Sequence, residues 1–160
     1  MIKKIFIILL MYTNASNAVN IQCNFEEVYS DGTQQQGLLI TKNNLIRYEY
    51  IDNNLFTIFF DSQNFYMVKH NQKNNFYKID KDKGFISLLS NIINKYPNIE
   101  DTFEYDGTKV KLEKSRTSNF YRKITILNHN INFVVYFNYC SEIDIHDRYL
   151  RFSPYFEILD

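Results

Sequence analysis

The stretch Gly37 to Tyr50, GLLITKNNLIRYEY, decides how the rest of the chain is read. Leu38 and Ile40 fall on one side of an alternating run that ends at Thr41, and Asn43-Asn44 supplies a turn. Leu45 to Tyr50 then runs out with Ile46, Tyr48 and Tyr50 opposed to Leu45, Arg47 and Glu49. A period of two on both sides of a short polar turn is the pattern of a β-hairpin. The same grammar extends towards the N-terminus, where Ile21, Cys23 and Phe25 alternate with Gln22, Asn24 and Glu26 before the turn Ser30-Asp31-Gly32-Thr33. It also extends forwards. Leu55 to Phe60, Phe65 to His70 and Phe76 to Asp80 are short apolar runs separated by Asp- and Asn-rich turns, so the first half of the chain reads as a six-stranded antiparallel meander.

The period then changes. Phe85, Leu88, Leu89, Ile92, Ile93 and Tyr96 recur at helical spacing, which predicts an amphipathic helix that Pro97 ends. Strands resume at Thr102 to Tyr105, Lys109 to Lys114, Tyr121 to Leu127, Ile131 to Cys140, Arg148 to Phe152 and Tyr155 to Leu159, with turns at Asp106-Gly107 and His129-Asn130. Composition agrees with strands: 14 Phe, 13 Tyr and twenty Ile stand beside two Ala and no Trp, and aromatic and β-branched side chains suit a pleated surface. The expected fold is mainly β, a curved antiparallel sheet of ten or eleven strands with one helix against its concave face, since strongly twisted open sheets of more than ~10 strands curl or close. Volume left between sheet and helix would be a hydrophobic cavity; the same aromatics packed on one another would be a core.

The first 18 residues form a separate unit. Lys3 and Lys4 precede an apolar run from Ile5 to Tyr12, and Ser16-Asn17-Ala18 puts small residues at −3 and −1, the pattern of a cleavable secretory signal peptide. This leaves residues 19–160 as one exported domain. With 18 basic against 18 acidic side chains scattered among one another, the chain has no basic stripe with which to meet nucleic acid. The two cysteines, Cys23 and Cys140, are either a disulfide between the ends of the domain or two separate buried thiols. His70, His129 and His146 belong to no metal or catalytic motif; Asp144 and His146 lack a third ligand, and no nucleophile elbow or phosphate loop is present. The residues argue for binding over catalysis, with no cofactor and no metal.

The segment Ser30 to Tyr50 resembles the periplasmic outer-membrane lipoprotein carriers of Gram-negative bacteria, the LolA-like family. Gly37, Leu38, Ile40, Lys42, Leu45, Ile46, Arg47, Tyr48, Glu49 and Tyr50 follow the family's order, and FDSQNFYMVKHNQKNNFYKID, Phe60 to Asp80, resembles its next hairpin. The resemblance implies an unclosed β-barrel with a helical lid over a hydrophobic cavity. In that family the cavity receives the acyl chains of a lipoprotein from an inner-membrane lipoprotein-releasing transporter and passes them to an outer-membrane receptor. Two features depart from the pattern: Lys42-Asn43 stands where the family has Arg-Pro, and the long N-terminal lid helix is absent, because the mature chain reaches its first strand at once.

Carried onto this sequence, the resemblance puts Ile46 and Tyr48 in the cavity wall and Lys42 at the lid contact. Local alternation adds Phe25, Leu38, Ile40, Phe56, Ile58, Phe60 and Tyr66, and Phe85, Leu88, Leu89 and Ile92 form the underside of the helix. The expectation is a monomeric periplasmic carrier of acylated lipoproteins. Its alternatives are a binder of another lipid and a periplasmic protein-interaction module whose aromatics are all core.

Overall fold

A computed structural model of the chain describes residues 19–72, 76–80, 84–129 and 132–152. The expected signal peptide, the strand expected at Tyr155 to Leu159 and part of the His129-Asn130 turn lie outside the described residues. Ten strands form one antiparallel sheet: β1 (Ile21–Tyr29), β2 (Gln34–Lys42), β3 (Leu45–Tyr50), β4 (Phe56–Phe60), β5 (Phe65–Lys69), β6 (Phe76–Ile79), β7 (Thr102–Tyr105), β8 (Thr108–Lys114), β9 (Tyr121–Leu127) and β10 (Asn132–Glu142). Their spatial order is β6-β5-β4-β3-β2-β1-β10-β9-β8-β7. The sheet is thus two meanders joined along β1 and β10. It is not closed into a barrel: β6 and β7 are its free edges, and the helix α1 (Phe85–Lys95) lies between them in the chain.

Local chemistry accounts for the turns. Asn43 and Asn44 both adopt positive φ, 51° and 65°, as do Asp106 and Gly107 at 47° and 69°. Two consecutive left-handed residues twist a two-residue loop in the sense that flanking strands need, and Asn, Asp and Gly tolerate that conformation. The segment Arg148 to Phe152, read from the sequence as a strand, is instead a 3-10 turn, Asp147–Leu150, followed by a short extended tail. The His146 ring accepts the backbone N–H of Arg148 at 3.2 Å, and this side-chain cap favours a helical turn over strand pairing.

Register decides which residues look inwards, because directly opposed residues of an antiparallel pair share one side. Phe25 opposes Gly37 and Cys23 opposes Leu39; Leu39 then opposes Tyr48, Tyr48 opposes Ile58, and Ile46 opposes Phe60. On the other flank Phe25 opposes Phe137 and Glu27 opposes Val135, with Ile124, Ile126, Val110 and Leu112 continuing the same side. This concave side and the helix residues Ile86, Leu88, Leu89, Ile92 and Ile93 form one buried core. α1 is sunk into the curl of the sheet so deeply that even Ser87 and Ser90 are buried. A helix of eleven residues is marginal alone, and this one has no side-chain cap and no acidic residue in its first turn; its apolar packing holds it in place.

Candidate functional site

The candidate site is the concave face beneath α1. Of the residues expected there from the sequence, Phe25, Ile46, Tyr48, Ile58, Phe60, Leu88, Leu89 and Ile92 are buried in the core, with Phe56 and Phe85 packed against it. Phe85, at the start of α1, packs on Tyr48 with ring centroids 5.8 Å apart, whereas Tyr96, just past its end, borders the same cleft as Val19 and Ile21. Aromatic rings line the Phe85 end. Phe25 stacks on Tyr48 at 3.9 Å, Tyr50 meets Phe25, Tyr48 and Phe56 edge-on at 5.4, 5.5 and 5.0 Å, and Phe85 meets Phe133 at 5.1 Å.

Three of the expected wall residues are not on this face. Leu38 opposes Asn24 and Glu49, Ile40 opposes Gln22 and Arg47, and Tyr66 opposes Phe59, all on the convex side. The sequence shows that Leu38 and Ile40 share a side but not which one; pairing of Phe25 with Gly37 settles it and puts Leu39 inwards. The convex side is apolar too because residues 143–152 cross it as a strap. Ile40, Leu45 and Leu150 form a second small core with Leu38, Ile143 and Ile145, and Tyr66 stacks on Phe152 at 5.0 Å. Lys42 serves the same strap rather than α1. Its ammonium donates to the Ile145 carbonyl at 2.6 Å and lies 3.3 Å from Asp144 and 3.7 Å from Asp147. Arg47 donates to the Tyr149 carbonyl at 3.3 Å.

Asp144 and His146 lie on this strap, and among the described residues no group of three or more His, Cys, Asp and Glu is placed to hold a metal ion. Cys23 and Cys140 are joined, with Cα atoms 4.1 Å apart. A β-bulge makes this geometry: two residues, Tyr139 and Cys140, stand opposite Cys23, between the pairs Asn24–Asn138 and Gln22–Ser141. Tyr139 takes up the extra step at φ 54° and points into solvent at 88% exposure, which returns Cys140 to the inner side.

The residue that the pattern did not single out is Glu27. It lies on the inner side of β1, 1% exposed, and is the one charged side chain buried among the described residues. The Tyr29 and Tyr48 hydroxyls donate to its two carboxylate oxygens at 2.7 Å each, and the Tyr50 hydroxyl donates to both at 3.1 Å. Three converging donors satisfy an acceptor-only carboxylate and repay part of its desolvation. Burial, and then the charge of Glu27, push the Tyr48 and Tyr50 hydroxyls well above the ordinary phenol range; burial and the Glu27 hydrogen bond do the same for Tyr29. Tyr121, buried on β9, is pushed up to about 12 by desolvation.

The sign for stability follows. A phenol whose folded-state value is raised contributes stability that is complete below ~10, where the unfolded chain begins to ionise, and is lost as pH rises beyond it. We expect these four tyrosines to stay protonated until the fold gives way, so absorbance at 295 nm will show one late, cooperative step that coincides with loss of far-UV circular dichroism. A smooth titration of all tyrosines near pH 10 with the fold intact would contradict the buried cluster.

Two clefts open on the described surface, of about 290 and 450 Å³. The first is bordered by Val19, Ile21, Tyr96, Pro97, Asn119 and Glu142, the second by Lys42 and residues 144–147 of the strap. The concave face is filled by the chain's own helix. No protein-family model matches the sequence, and no curated protein matches it either.

Proposed function

We propose that the chain is an exported carrier that binds acyl chains against the concave face of its open sheet, and that in the periplasm it moves acylated lipoproteins from an inner-membrane releasing transporter to an outer-membrane receptor. One observation carries the reading: the apolar concave face is covered by one short helix without a side-chain N-cap, which links the sheet's two free edges along the chain. The underside of α1 and an acyl chain are chemically alike, so either can occupy that face, and loss of α1 breaks no strand pairing. The disulfide supports an oxidising compartment, and the signal-like first 18 residues support export.

A second reading, a protein-interaction module in the same compartment, is favoured by the packed interior, in which Leu89, Ile92 and Ile46 are wholly buried against one another's neighbours. Native mass spectrometry of the chain purified gently from an export-competent Gram-negative host separates the two. The carrier reading expects a mass increment of a lipid or acylated peptide, lost on delipidation and accompanied by a saturable site for an apolar dye. A bare chain with no dye site transfers the case to the protein-binding module.

A further inference from the structure

Glu27 has no use in holding a hydrocarbon tail. No Lys, Arg or His pairs with it among the described residues, and a buried carboxylate without a counter-cation is costly even when hydrogen-bonded. We infer that Glu27, with Tyr29, Tyr48 and Tyr50, is a headgroup site that selects an amphiphile bearing an organic ammonium; the inference rests on the carrier reading and names its ligand class.

Three observations converge on this. The first is charge: among the described residues the only charged side chain buried in the interior is negative, and the exposed Asp31 stands two residues beyond Tyr29 in the turn that follows β1. The second is surface chemistry. The carboxylate is set among the rings of Phe25, Tyr48, Tyr50 and Tyr29, and aromatic faces attract ammonium groups most strongly where water is excluded. The third is position. Tyr29 is only half-buried and stacks on Phe133 at 5.2 Å, so the cluster reaches the rim of the concave face, with the apolar wall continuing inwards from Tyr48 to Ile46 and Ile58. Phe85, the half-buried first residue of α1, packs edge-on against Tyr48 of the cluster and against Phe133, and follows Gly84 at φ 88°. Lifting that first turn exposes a carboxylate at the mouth and hydrocarbon behind it, the layout of a cationic head and an apolar tail. An ammonium entering there takes an oxygen of Glu27 from one phenol, whereas an anionic head meets like charge.

The test compares dodecyltrimethylammonium with dodecyl sulfate, both below their micellar concentrations, by displacement of an apolar dye from the purified chain. We expect the ammonium to bind at least about tenfold more tightly, and Glu27→Gln to bring the two affinities together while the dye itself still binds. Should that variant fail to fold, carboxyl-labelled glutamate in the unaltered protein gives the answer by NMR: the Glu27 resonance shifts with the ammonium and not with the sulfate. Equal affinities, or a Glu27 resonance indifferent to the ammonium, overturn the headgroup site and leave the carrier reading standing. Binding of neither amphiphile nor dye overturns both.

Discussion

Gly37→Ala lowers the unfolding free energy by roughly 3 kcal/mol or more, a loss in the range of overpacked cores, although it adds one methyl group. A Cβ at this position overlaps the carbonyl oxygen of Glu49 on β3 and the ring of Phe25 on β1. Phe25 lies across the glycine because Gly37 is its partner in the register, and from there it stacks on Tyr48. The Phe25 ring can turn away only by abandoning that stack and its edge contact with Tyr50; the Glu49 carbonyl belongs to the β2–β3 ladder and cannot move alone. Gly32→Ala is the control. There φ is 86° but a Cβ meets nothing within 4 Å, so the cost is that of the backbone alone, about 1 kcal/mol. Urea denaturation of both variants checks the prediction, and equal losses would show that the close approach at Gly37 does not exist. Adding Phe25→Leu to Gly37→Ala should recover only a part, since the Glu49 overlap remains.

The outline of this fold is written locally, and that is why it was legible. Each hairpin of the meander is specified by a few neighbours: Asn43-Asn44 and Asp106-Gly107 accept two left-handed residues, and the alternation on either side fixes strand length. The helix from Phe85 announces itself by its change of period and ends before the proline that was expected to end it. What the sequence withheld is non-local. Leu38 and Ile40 are apolar on one side of β2, and so is Leu39 on the other. Only the pairing with β1, together with a strap arriving more than a hundred residues later, tells which side is the core. Tyr66 and Lys42 were misplaced for the same reason. An outward-facing apolar or basic residue finds a partner in residues 143–152 that no local pattern connects to it.

Glu27 illustrates a different limit. In the run Phe25-Glu26-Glu27 the two acids look equivalent, and alternation from Cys23 and Phe25 places Glu27 inwards. The signal was the parity itself, an acid on the apolar side of a strand, and three tyrosines elsewhere in the chain were its unread complement. Tyr29 is two residues away, but Tyr48 and Tyr50 reach Glu27 only across the intervening β2. Most of the apolar wall of the candidate site was legible because burial follows periodicity; its polar end was not, because a hydrogen-bonded cluster is a property of the register.

Breaking the Cys23–Cys140 bond has the second large effect, and it acts on the one place where the fold depends on distant chain. Within each meander, neighbouring strands are joined by short turns and close small loops. β1 and β10 are the exception: their ladder holds the two halves of the sheet together across almost the whole domain, and the disulfide lies on it with a sequence separation of 117. On the chain-entropy account, opening a loop of that length returns roughly 4 to 5 kcal/mol of freedom to the unfolded state. We therefore expect Cys23→Ala/Cys140→Ala, or the reduced protein, to unfold at a much lower urea concentration, most of the loss appearing as slower folding because the β1–β10 contact must then be found by diffusion. The six-strand half, whose hairpins are all local, should be affected least, and hydrogen exchange should show protection persisting longest in β2–β4 while β9 and β10 open first. Unchanged stability after verified reduction would mean that the β1–β10 ladder is already assembled in the unfolded ensemble. A loss with no change in folding rate would place the formation of that ladder after the transition state, in which case the two meanders form first and dock afterwards.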